Sequence, residues 1–277
     1  MRIIRNILIF ALTIAFLAAA AVAFAPTLTR QPVSYLTVAQ AGVEPGLFEV
    51  IERPDLRPRP PVNLDYESPL IEGAEGHMTL SGIAPNFWHL FAPTASSAEA
   101  NPVIILFHGA GRDSLSMIDQ WQDVAEAEGL VLIGLNAPSG GWLVDAPNGR
   151  LLNDILDEAG ELYPLDRDRV FLYGHSAGSI MAQVVANRVI GPWRGVATHG
   201  GTVNPGFLHP IEDAPPVRHY LGSSDGIFDT ATARLAGEQV TQAGHDHTLI
   251  LIPGHTHWYY EGGPAFAAEA WDWFESL

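Results

Sequence analysis

A serine hydroxyl becomes a useful nucleophile near neutral pH when an imidazole takes its proton and a carboxylate orients that imidazole. This chain carries the three side-chain types in the order Ser176, Asp225, His257, separated by 49 and 32 residues. Ser176 stands in Gly174-His175-Ser176-Ala177-Gly178. Glycines at those two places suit a sharp strand-to-helix turn, where the backbones approach too closely for larger side chains. A serine that merely caps a helix can have the same spelling, so the partners matter more than the pentapeptide. His255 lies two residues before His257 and is the alternative base. Asp229 is the alternative acid, although its place before a predicted helix suits it to capping.

Attack on a carbonyl also needs donors for the oxygen that becomes negative. The amide of Ala177, next to the nucleophile, is one candidate. The turn His108-Gly109-Ala110-Gly111 offers the other, the amide of Ala110 or Gly111, although a plain tight turn would read the same. Trp142 and Trp258 fall near predicted strand ends and are candidates, with His255, for lining a substrate pocket or for ordinary packing. Two His-x-His pairs, His245 with His247 and His255 with His257, have a spacing that zinc can use. The first pair reads as a solvated turn and no third ligand is spaced to join it, so no metal and no organic cofactor is expected.

The elements that must position these residues alternate between strand and helix. Strands are predicted at 77–83, 87–91, 103–107, 130–135, 169–173, 195–198, 217–221 and 248–252, and helices at 114–128, 151–162, 179–189, 230–243 and 264–274. The first two strands read as a hairpin at a sheet edge, and Asp113 or Ser114 as the cap of the first helix. Such alternation predicts an α/β fold, a doubly wound and mostly parallel sheet flanked by helices. In these sheets ligands bind beyond the carboxyl ends of the strands. Ser176, Asp225, His257 and the 108–111 turn all follow predicted strands directly.

The 277 residues are 47% hydrophobic and 16% charged, enough for one large domain with a sizeable core. The formal charge is −17 and all fourteen basic residues are arginine, which argues against nucleic acid as a partner. The absence of cysteine excludes disulfides, thiolate metal sites and a cysteine nucleophile. Arg2 and Arg5 precede a long uncharged run, so residues 1–25 are expected to be a signal peptide or an N-terminal membrane anchor, placing the rest outside the cytoplasm. Residues 26–76 are proline-rich and read as a linker or a wrapping segment, with the catalytic domain at 77–277.

The stretch from Tyr163 to Gly178, YPLDRDRVFLYGHSAG, is similar to the signature of secreted polyhydroxybutyrate-depolymerase and feruloyl-esterase-like proteins. Gly254 to Tyr260, GHTHWYY, resembles the segment carrying the basic histidine of the S-formylglutathione hydrolase (esterase D) group, which maps that histidine to His257. The depolymerase-type ending GGGHTWP has no counterpart. The resemblance covers roughly residues 77–277 and implies the alpha/beta-hydrolase fold. It also implies a serine hydrolase acting on a small-molecule or polymer-derived ester through an acyl-enzyme, with Ser176, Asp225 and His257 as the triad. The competing expectations are a non-catalytic binding protein of the same fold, or a peptidase or acyltransferase using the same residues.

Overall fold

Val103 to Phe107 is apolar at every position, as a strand buried on both faces requires. In the computed structural model, which describes residues 42–81, 84–94, 100–138 and 141–277, this run lies in an inner strand of a nine-stranded sheet. The expected export segment lies outside the described residues. The strands are β1 (Phe48–Glu52), β2 (Ala74–Ser81), β3 (Ala84–Phe91), β4 (Asn101–Phe107), β5 (Val131–Leu135), β6 (Leu165–His175), β7 (Trp193–His199), β8 (Val217–Gly222) and β9 (His247–Ile252). The helices are α1 (Ser114–Glu128), α2 (Gly149–Leu162), α3 (Ala177–Arg188), α4 (Thr230–Gln242) and α5 (Gly263–Glu275).

The sheet order is β1-β9-β8-β7-β6-β4-β5-β3-β2. All pairs from β1 to β5 are parallel, and β2 with β3 forms the antiparallel edge hairpin that the sequence predicts. Side chains alternate between two cores, as the twofold strand period requires. Val103, Ile105 and Phe107 face a core shared with Leu152 and Ile155 of α2 and Val184 and Val185 of α3. Ile104 and Leu106 face another, filled by Ile118 and Trp121 of α1 and by Phe266, Trp271 and Phe274 of α5. Asp113 caps α1 by accepting from the Ser116 amide at 2.9 Å, and Gly129 closes that helix at φ 72°. Asp229 caps α4 through the Thr232 amide at 2.9 Å, the role its position suggests.

Two expectations need correction. Residues 48–52 fall in the segment read as a linker or wrapping segment, yet they form β1, parallel to β9 in register from Phe48 with His247 to Glu52 with Leu251. The strand is short and lies between Pro45 and Pro54, so proline masks it; an edge strand tolerates that flanking because one side of its ladder is unpaired. The same strand explains the second correction. His245 and His247, read as a solvated turn, are 1% and 2% exposed. Phe48 stacks on His247 with ring centroids 5.7 Å apart, while His245 engages Asn187 at 3.0 Å and the Pro215 carbonyl at 2.7 Å.

Candidate active site

β6 ends at His175 and α3 begins at Ala177, so the whole reversal falls on Ser176. Its φ of 54° and ψ of −118° lie where a residue with a side chain is strained. The surroundings impose that geometry. A Cβ on Gly174 would lie 2.3 Å from the Gly178 carbonyl oxygen, and a Cβ on Gly178 only 2.1 Å from that of Phe107 in β4. Those contacts let α3 press against the sheet and lift Ser176 clear of it. Gly178→Ala is therefore expected to cost about 3 kcal/mol or more, a fall of roughly 6–12 °C in Tm for a domain of this size, measurable by thermal denaturation.

Three strand ends meet at Ser176. Its hydroxyl lies 2.9 Å from His257 Nε2, and His257 Nδ1 lies 2.8 Å from Asp225 Oδ2. Asp225 Oδ1 accepts from the amides of Ile227 at 2.8 Å and Phe228 at 3.0 Å, which fixes the carboxylate while leaving its other oxygen to the imidazole. Burial alone would raise the Asp225 carboxyl, but the His257 contact and the two amides outweigh it and hold the group below its ordinary value. A carboxylate only accepts, so Nδ1 of His257 carries the proton and Nε2 is free to accept one from Ser176. His255 does not reach Ser176. It turns inward, with its Nε2 2.8 Å from that of His199.

The 108–111 turn flanks the serine. A Cβ on Gly109 would approach Ser176 Cβ at 3.3 Å. The Arg112 amide closes a turn onto the Gly109 carbonyl at 3.2 Å, and Gly111, at φ 71°, supplies the positive φ that a type II turn demands at its third position. Ala110 is the second residue of that turn, and Ala177 opens α3 directly after the serine. His108 anchors the turn: its Nδ1 donates to the Gly109 carbonyl at 2.8 Å and its Nε2 accepts from the Ala137 amide at 3.0 Å. Burial holds this imidazole below its ordinary pKa and so in the neutral state that such a pairing needs. Trp142, a candidate pocket residue, braces the same turn by donating to the His108 carbonyl at 2.8 Å.

No protein-family model matches this chain, and no curated protein matches it. Solved structures do. An S-formylglutathione hydrolase from Agrobacterium tumefaciens is 13% identical with a TM-score of 0.60, over 76% of this chain and 98% of that one. Esterase 2 of Thermogutta terrifontis phosphorylated by paraoxon is 15% identical with a TM-score of 0.60, over 75% and 95%. The propionate-bound form of that esterase is 16% identical at the same TM-score, over 75% and 96%. The chain has the alpha/beta-hydrolase fold.

Within this alpha/beta-hydrolase fold, several residues near the site are invisible to motif reading. Tyr66, in the segment before β2, stacks on Tyr260 with centroids 3.8 Å apart and planes 10° apart. Arg112 lies over the Tyr260 ring at 4.9 Å and donates to the Tyr66 carbonyl. Trp258, the other candidate pocket residue, packs edge-on against Tyr260 and stands 5.9 Å from the Arg112 guanidinium, with its buried indole N–H unpartnered. Ser68 donates to Asp113 at 2.7 Å. These contacts tie the 108–112 turn to residues more than 40 positions upstream, at a distance no local pattern encodes. Among the described residues, no group of three or more histidines or carboxylates is arranged to hold a metal ion.

Proposed function

We propose that this protein is a serine hydrolase that cleaves carboxylic esters through an acyl-enzyme. The observation that carries this reading is the continuous relay from Asp225 Oδ2 through His257 to a serine held in a strained elbow. Ser176 Oγ attacks the ester carbonyl carbon as its proton passes to His257 Nε2. The resulting oxyanion takes hydrogen bonds from the amides of Ala177 and Ala110. Collapse of the tetrahedral intermediate breaks the bond to the alcohol, which leaves with the proton from His257. Water then repeats the sequence in reverse roles, freeing the acid and restoring Ser176.

The structural neighbour named as an esterase favours ester over amide substrates, and its phosphorylation by paraoxon fits a serine nucleophile in this fold. Small soluble esters and polymer-derived esters both suit the reading. The arginine-flanked apolar run at residues 1–25 supports export and an extracytoplasmic place of action, free or tethered to a membrane.

The test is covalent labelling of the full chain with a fluorophosphonate probe, beside hydrolysis of a chain-length series of p-nitrophenyl esters. Labelling at Ser176 with turnover is expected; folded protein that does neither would overturn the proposal in favour of a binding role. Asp225→Asn isolates the orienting carboxylate. An asparagine N–H facing the ring would favour the wrong tautomer of His257, so kcat should fall by about 10⁴-fold with little change in fold.

A further inference from the structure

Beside the Ser176 relay runs a second chain made only of imidazoles. His175 ends β6 next to Ser176, His199 ends β7, and His255 lies in the loop after β9, two residues before His257. They are 5%, 0% and 5% exposed. His175 Nδ1 is 3.1 Å from His199 Nδ1, and His199 Nε2 is 2.8 Å from His255 Nε2.

The tautomers of this chain follow from one carbonyl. His175 Nδ1 also lies 3.3 Å from the His199 carbonyl oxygen, which can only accept, so the His175 proton is on Nδ1. His199 Nδ1 is then an acceptor, its proton sits on Nε2, and it donates to His255 Nε2. His255 in turn carries its proton on Nδ1. This assignment requires three neutral rings. Burial, reinforced by mutual repulsion, supplies that condition: His175 and His199 are held well below the ordinary imidazole value and His255 is lowered to about 4. The other titratable or charged groups facing the chain are His257, His219, Asp225, Arg57, Arg112, Tyr259 and Tyr260.

The chain links the backbone segments that carry the proposed nucleophile and base. The His199 carbonyl also accepts from the Ser176 amide at 2.8 Å, so a single residue holds the elbow by backbone and by ring. The next residue, Gly200 at φ 61°, would place a Cβ 3.0 Å from His257 Nδ1, so the base rests directly on it. Tyr259 stacks on His175 at 4.7 Å, and Phe266 packs on His199 at 4.7 Å.

We propose that His199 is a positioning residue that, through His175 and His255, sets the separation of Ser176 from His257. The proposal rests on the serine-hydrolase reading above. His199 meets neither substrate nor the reacting atoms; it acts through its two neighbours.

The experiment combines tautomer assignment with kinetics on the full chain. Long-range nitrogen–proton NMR of the wild type should show protons on His175 Nδ1, His199 Nε2 and His255 Nδ1. A proton on His199 Nδ1, or a charged ring at pH 7.5, would overturn the chain as drawn, whether or not any variant folds. His199→Phe keeps a ring against Phe266 but removes both contacts. It should lower kcat for p-nitrophenyl acetate by about 10-fold to 100-fold with KM within about twofold, the effect of a sub-ångström misplacement of reacting groups. His199→Gln, which retains one acceptor and one donor, should recover much of that loss. A folded His199→Phe with wild-type kcat and no remaining chain resonances would overturn the positioning role. If the wild type itself neither hydrolyses esters nor labels with the phosphonate, the serine-hydrolase reading fails instead, a result distinct from either.

Discussion

Ser176→Ala is expected to lower kcat toward p-nitrophenyl esters by about 10⁶-fold, to the level set by substrate binding and the oxyanion donors alone. In the proposed mechanism, the size of the effect comes from removing the oxygen that forms the acyl bond. His257→Ala should fall to a similar level, because without an acceptor 2.9 Å away the hydroxyl keeps its proton. The double variant should be scarcely worse than either single one, since the two act as a unit. His255→Ala is the informative contrast. Its ring faces His199 at 2.8 Å, so it should lose no more than about 100-fold, through misplacement of His257. A loss from His255→Ala as deep as that from His257→Ala, with the fold intact, would count against His257 as the base.

The second large effect is acid lability of the fold. Seven of the eleven histidines, His108, His175, His199, His219, His245, His247 and His255, are buried. Burial lowers the pKa of every one of them, to about 4 for His219 and His255. In the unfolded chain these groups take up protons as pH falls through about 6.5, whereas in the folded chain each resists to a lower pH. The unfolded state therefore binds more protons across that interval, and stability falls with falling pH. A histidine held at about 4 withdraws roughly 3 kcal/mol once the pH has passed through both values. Several acting together exceed the net stability of an ordinary domain. Urea unfolding midpoints should thus drop steeply between pH 7.5 and pH 5. A flat profile over that range would mean that these rings are hydrated or already charged at neutral pH.

Much of the fold was legible in the sequence because its signals are local. The apolar run 103–107, the strand–turn–helix around Ser176 and the amphipathic stretch 114–128 each carry their own period and punctuation. The helix at Ser114–Glu128 matches its predicted bounds, and most other elements differ only at their ends, where fraying and capping dilute the period. β6 is longer than expected because four of its first five residues, Asp166 to Arg169, are charged and exposed or half-buried, and so lack a buried strand's signature. β1 escaped because its partner, β9, is about 200 residues away and proline surrounds it.

The candidate site divides along the same line. The sequence by itself determined which residue types stand at successive strand ends: Ser176, then Asp225, then a histidine at 255 or 257, with the 108–111 turn and Ala177 beside them. Only the tertiary structure decided which of two histidines in one loop turns toward the serine. It also decided that Trp142 donates to the His108 carbonyl and that Tyr66 stacks on Tyr260 across the site. The reason is physical. Strand and helix periods are fixed by backbone geometry within a few residues. The direction in which His255 or Trp142 points depends on hydrogen-bond partners brought from elsewhere in the chain, such as the ring of His199 or the His108 carbonyl, and these exist as neighbours only once the sheet has closed.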